Sequence, residues 1–170
     1  PPISTLFPFT TLFRSADLIG LGPFHLADPR RWDVQRERLI RSIDTAVAVG
    51  ARSIVFTTGP FAPLSWEEAA DALEVALAPV LVQARARGIA FAIEHTNSLR
   101  VDVGFVHTLR DAIDLARRLD TKVCMEMNAC WAERGLDEMI RAGADRIGLV
   151  QVSDFAIGTV ASSQRLVPGD

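Results

Sequence analysis

The chain holds 170 residues, 49% of them hydrophobic and 23% charged, with a formal charge of -3. That composition is ordinary for one globular domain and excludes disordered, collagenous and nucleic-acid-coating proteins. No apolar run approaches the roughly 18 residues that span a membrane, and no basic stripe offers a surface to lipid or nucleic acid.

Residues 1–15, PPISTLFPFTTLFRS, carry three Phe, three Pro and no acidic residue. They lack the basic-then-apolar order of a secretory signal. The run 5–15 resembles the conceptual translation of a sequencing-adapter oligonucleotide. Residues 1–15 are therefore expected to be foreign to the fold and 16–170 to form it; the alternative is a native Phe-rich loop or edge strand. From Arg31 onward, helical and strand periodicities alternate, the pattern of βα units around a parallel sheet. A helix is predicted over 32–49, with Leu39, Ile43, Ala46 and Val47 on one face and Gly50 past its end, followed by a strand over 53–58. Ser65 and Glu68 form a capping box opening a helix that runs to Gly88, with Pro79 expected to kink or split it. A strand over 89–94, a helix over 108–119, a strand over 122–127, a short helix over 136–142 and a strand over 147–152 complete the order.

Alternation sorts the strand residues onto two faces. Ala90, Ala92, Glu94 and Thr96 share one, and Ile89, Phe91 and Ile93 the other. Cys124, Glu126 and Asn128 likewise oppose Val123, Met125 and Met127. Small residues ending in a polar group suit the crowded interior of a barrel, whose sites lie at the C-terminal strand ends. Buried carboxylates are costly unless paired or metal-bound, and Glu94 and Glu126 meeting at one mouth would repel, so a divalent cation between them is the simplest arrangement. The plainer reading pairs each with an Arg or a loop amide.

Gln151 ends the last strand and offers a carbonyl oxygen to the same ion, or is a satisfied core amide. Asn128 and Asp154 are substrate-side candidates, Asp154 alternatively a loop cap. His25, in a loop, and Arg165, before Pro168-Gly169-Asp170, are the other candidates for substrate; a guanidinium clamps carboxylates or oxyanions bidentately, although a solvated loop Arg fits equally. His95 is expected on the face opposite Glu94, packed in the core, and His107 at the start of a helix or in solvent. Cys124 and Cys130 read as core filler without zinc or redox spacing, which suits a reducing cytoplasm. No P-loop, GxGxxG or GxSxG supports an ATPase, dinucleotide dehydrogenase or serine hydrolase.

The runs Ile93-Glu94-His95-Thr96, Cys124-Met125-Glu126-Met127-Asn128, Val150-Gln151-Val152-Ser153-Asp154 and Arg165-Leu166-Val167-Pro168-Gly169-Asp170 occur in that order. Together they resemble the xylose-isomerase-like sugar phosphate isomerase/epimerase superfamily from about Pro23 to the end. The resemblance implies an α/β fold, the (β/α)8 TIM barrel. A full barrel takes about 250 residues, so this chain is expected to be a partial one, lacking the first units and the last strand.

The resemblance also implies a divalent metal, Mn2+, Mg2+ or Zn2+, held by a Glu on the fifth strand, a carboxylate on the sixth, a His on the seventh and a Glu on the eighth. Glu94 and Glu126 take the first two places. The chain departs from the pattern at Gln151, in the place of the His, and at Ala129, where a His often follows the sixth-strand carboxylate. The implied chemistry is metal-assisted proton transfer through an enediolate, with Glu94 as acid/base.

Three expectations follow. The first is a metal-dependent isomerase or epimerase of a small polyol, sugar or keto acid. The second is an inosose-type dehydratase on the same scaffold, and the third a non-catalytic ligand-binding barrel, prompted by Ala129 and Gln151. A small-molecule substrate is the expected partner, without nucleic acid or membrane, and homo-oligomer formation is left open. As written, without an eighth-strand Glu, the chain is expected to hold metal weakly, to turn nothing over, and to expose sheet edges near Ser53 and at 147–152.

Overall fold

The computed structural model describes residues 15–17, 24–154 and 166–169. Five strands follow one another through the chain: β1 (Ser15–Asp17), β2 (Ser53–Phe56), β3 (Ala90–Glu94), β4 (Lys122–Glu126) and β5 (Ile147–Gln151). Each lies parallel to its predecessor, in the order β1-β2-β3-β4-β5. Parallel neighbours require crossovers. These are supplied by α1 (Trp32–Ala48), α2 (Trp66–Ala86), α3 (Leu109–Leu119), and the pair α4 (Met127–Cys130) and α5 (Leu136–Gly143). Sequential parallel order with one helix layer is the arrangement of consecutive barrel units. The sheet edge expected near Ser53 is corrected: Ser53 pairs with Ser15, so β1 lies outside β2. Residues 1–14 of the segment expected to be foreign lie outside the described residues.

The two faces separate as alternation predicts. Ile54, Phe56, Phe91, Ile93, Val123 and Met125 pack into the main core with the helices. Val55, Ala92 and Cys124 form a second, smaller cluster with Leu149 on the other face. Bulk lies outward and small residues inward, as a barrel interior demands.

Local signals account for the helix starts. Ser65 Oγ accepts the Glu68 N–H at 3.2 Å while the Ser65 N–H donates to Glu68 Oε2 at 2.8 Å, closing the capping box. Thr108 caps α3 through the Asp111 N–H at 3.0 Å. Of the two expected effects of Pro79, a kink or a split, the split does not occur: α2 runs for 21 residues with Pro79 inside. Pro79 has no N–H for the Val75 carbonyl. Arg36 of α1 takes over, donating Nη2 to Val75 O at 3.0 Å and Nε to Ala76 O at 2.8 Å. A neighbouring helix thereby satisfies the carbonyl that proline strands.

Two further differences lie at strand ends. The strand expected over 122–127 stops at Glu126, where the chain winds into the four-residue α4. Asn128 is therefore on a helical turn and not on the strand face with Glu126. In the β4–β5 pairing, Val123 faces Ile147 but Cys124 faces Leu149, so Gly148 is an extra residue on β5.

Candidate functional site

Glu94 and Glu126 close β3 and β4 on the inner face, at the C-terminal ends of adjacent strands. The register sets Glu94 beside Cys124 and Glu126 beside Gln151. Glu94 is 6% exposed and Glu126 2%, and Gln151 is half-buried. The structure thus brings three of the expected residues to one face and one end of three neighbouring strands.

The bulge decides the placement of Gln151. Uninterrupted alternation from the outward Ile147 would send Gln151 outward too, because a one-residue slip exchanges the faces. The extra Gly148 reverses the sides, so that Leu149 joins the inner cluster and Gln151 comes level with Glu126. Bulges of this kind commonly re-aim a side chain beside a site. Gly148 is also packed tightly, since a Cβ there would meet Lys122 Cβ at 3.0 Å.

Glu126 is held from two sides. Its Oε1 accepts the Asn128 N–H at 3.1 Å, which fixes the first turn of α4. Its own N–H donates to His95 Nε2 at 3.2 Å. His95, the residue after the end of β3, is wholly buried. Burial, with a smaller contribution from the charge of His107, pushes its pKa down to about 4. The ring is neutral at pH 7, and accepting at Nε2 places its proton on Nδ1. His107 turns back onto the same strand end, with Nδ1 3.2 Å from the Thr96 carbonyl oxygen.

Sequence reading assigned no role to Thr57. Phe56 pairs with Ile93, so continued alternation sets Thr57 inward beside Glu94. Its Oγ1 is buried without a hydrogen-bond partner among the described residues. The signal was present, since Thr57 stands two residues beyond the inward Val55. The neighbouring Thr58 Oγ1 accepts the Phe105 N–H at 3.0 Å, and the Gly59 N–H donates to Val103 O at 2.9 Å. The loop after β3 is thus folded against the end of β2. Gly59 has φ +89°, and a Cβ there would overlap the Phe24 carbonyl.

The remaining candidates are more loosely placed. His25 is exposed, in the loop that follows Phe24, and its backbone N–H donates to Gln35 Oε1 at 3.3 Å. Contact of Phe24 with Gly59 puts this loop on the C-terminal side of the sheet. Asn128 is half-buried beside Glu126. Asp154 forms an antiparallel bridge with Leu166, and its Oδ2 accepts the Gly169 N–H at 3.1 Å, the bond of a loop cap. Arg165 lies outside the described residues. Cys130 is buried, and burial followed by the charges of Glu133 and Glu126 pushes its thiol up to about 11. A protonated, enclosed thiol is core filler, as the sequence suggests.

Comparison with solved structures follows the same architecture. A Sinorhizobium meliloti 1021 protein is 25% identical, with TM-score 0.78, over 88% of this chain and 57% of its own. The E. coli 3-keto-D-glucoside 4-epimerase YcjR is 20% identical, with TM-score 0.62, over 79% and 59%. A zinc-bound IOLI protein is 16% identical, with TM-score 0.65, over 84% and 53%. The chain therefore spans somewhat over half the length of these structures. No curated protein matches it in sequence. The family profile described as xylose isomerase-like TIM barrel matches residues 7–170. With that match, and with five consecutive parallel strands and inward carboxylates at their C-terminal ends, the chain belongs to the xylose isomerase-like TIM-barrel family.

Proposed function

We propose that the whole protein is a metal-dependent isomerase or epimerase of a small polyol, sugar or keto acid, with Glu94 moving the proton. The observation that carries this reading is the burial of Glu94 and Glu126 on one inner face at adjacent strand ends, with Gln151 beside them. The epimerase among the structural neighbours supports the reaction class, and the zinc-bound neighbour supports a metal.

The donor set suits a divalent cation. Among the described residues no group of three or more His, Cys, Asp or Glu gathers at one place. Two carboxylates and the Gln151 amide oxygen instead make a set of hard oxygen donors, which favours Mn2+ or Mg2+ over a thiolate- or imidazole-preferring ion. A bound ion supplies Lewis-acid polarisation of a substrate carbonyl. Glu94, held nearly free of solvent, accepts a proton from the carbon beside that carbonyl to give the enediolate. Returning it to the neighbouring carbon gives an isomer, whereas an epimer needs a proton from an acid on the opposite face, the place the resemblance gives to the eighth-strand Glu. Thr57 and Asn128 border the same mouth, and the loop 97–106 closes its β2 side.

The test is proton exchange in D2O. The whole protein, with Mn2+, is given a ketose, a keto-glucoside and an inosose in turn and followed by NMR. The expected result is solvent deuterium at one carbon beside the carbonyl of a substrate, with an epimer or isomer appearing and both lost in Glu94→Gln. Loss of water from the inosose would replace this reading with the dehydratase, and absence of exchange from all three would contradict it.

A further inference from the structure

The pairing of β3 with β4 runs to Glu94 opposite Cys124 and no further. Two residues on, the Glu126 N–H donates to the imidazole of His95, the residue that follows Glu94. One side chain therefore connects the backbone carrying one carboxylate to the backbone carrying the other. Ladder hydrogen bonds hold neighbouring strands about 4.8 Å apart. Where the ladder stops, the wholly buried ring takes over that task.

Packing alone does not require a histidine here. Its Nδ1 is buried with no partner among the described residues. An aromatic hydrocarbon such as Phe would fill the space with no N–H left over, but the Glu126 amide would then lose its acceptor, and a buried donor without one is costly. What the imidazole adds over Phe is therefore specific to Glu126.

We infer that His95 is a positioning residue which, by accepting the Glu126 N–H, sets Glu126 at the height and separation from Glu94 at which both carboxylates reach one divalent cation. This inference rests on the metal reading proposed above. His95 touches neither ion nor substrate in this role; it acts on the backbone of a ligand, as groups behind metal ligands commonly do.

The experiment measures free Mn2+ by EPR during titration of the whole protein, its His95→Phe and His95→Gln variants, and Glu126→Gln. Far-ultraviolet circular dichroism and a thermal melt accompany each. The expected result is Mn2+ affinity about 10–100-fold weaker in His95→Phe. His95→Gln, whose side-chain oxygen can accept the same N–H, should recover most of that loss even where its melting temperature is lowered. A His95→Phe protein that melts earlier yet binds Mn2+ as tightly as the wild type would overturn the inference and leave the metal reading intact. Wild-type protein that binds no Mn2+ would overturn both. Should His95→Phe not fold, the 15Nε2 resonance of His95 in the wild-type protein decides: a shift on saturation with Mg2+ supports the inference, and an unmoved resonance overturns it.

Discussion

His95 gives the site a measurable acid sensitivity. Its folded pKa of about 4 lies below the ordinary 6.5. Between those values the unfolded chain binds more protons than the folded one, so stability rises with pH. The contribution is complete above pH 6.5 and is lost as pH falls through 4, a difference of roughly 3 kcal/mol. Urea melts at pH 7 and pH 4.5 should therefore lose more stability in the wild type than in His95→Gln. Cys130 yields a second prediction at this scale. With its thiol raised to about 11 and enclosed, and Cys124 equally buried, the folded protein at pH 8 should resist a thiol reagent that labels both cysteines in urea. Rapid labelling of the folded protein would contradict the burial.

At the scale of elements, the Arg36 contact with α2 shows how a proline is accommodated. Arg36→Met should cost about 1 kcal/mol, because the Val75 carbonyl, which Pro79 leaves without a helix partner, loses its donor. Pro79→Ala in that background should return part of the loss by restoring an N–H to Val75, and a double-mutant cycle measures the coupling. Purely additive effects would count against the arrangement. Gly148→Val should cost about 1–3 kcal/mol through overpacking against Lys122 and disturbance of the bulge. These two features also mark what was legible in the sequence. The capping residues Ser65 and Thr108 and the two faces of β2, β3 and β4 follow from local chemistry, and the structure has them. The donor that serves the Val75 carbonyl in α2 comes from an arginine about 40 residues away, which no local window contains. Gly148 inside a strand pattern is a bulge signal. Its consequence for Gln151 appears only once β5 is set against β4. Asn128 went to a helical turn because the Glu126 carboxylate caps its N–H, a competition between side chain and strand that period 2 does not register.

At the scale of the molecule, the five strands separate two ends with different chemistry. At the N-terminal end, Asp120 is held below the usual carboxylate range by the hydrogen bond from Arg146 and then by the charge of Arg85. Ion pairs exposed in this way contribute little stability. At the C-terminal end, beside exposed pairs such as Arg100 with Asp102, the carboxyl groups of Glu94 and Glu126 are buried, a placement that stability alone does not favour. In barrels that end carries the chemistry. No helix among the described residues is long and apolar enough to cross a membrane. The most direct test of the account is calorimetric titration of Mn2+ into the whole protein and into its Glu94→Gln and Glu126→Gln variants, all shown to be folded. One ion per chain, with binding at least tenfold weaker in each variant, is the predicted result; wild-type affinity retained in either would contradict a site shared by the two carboxylates.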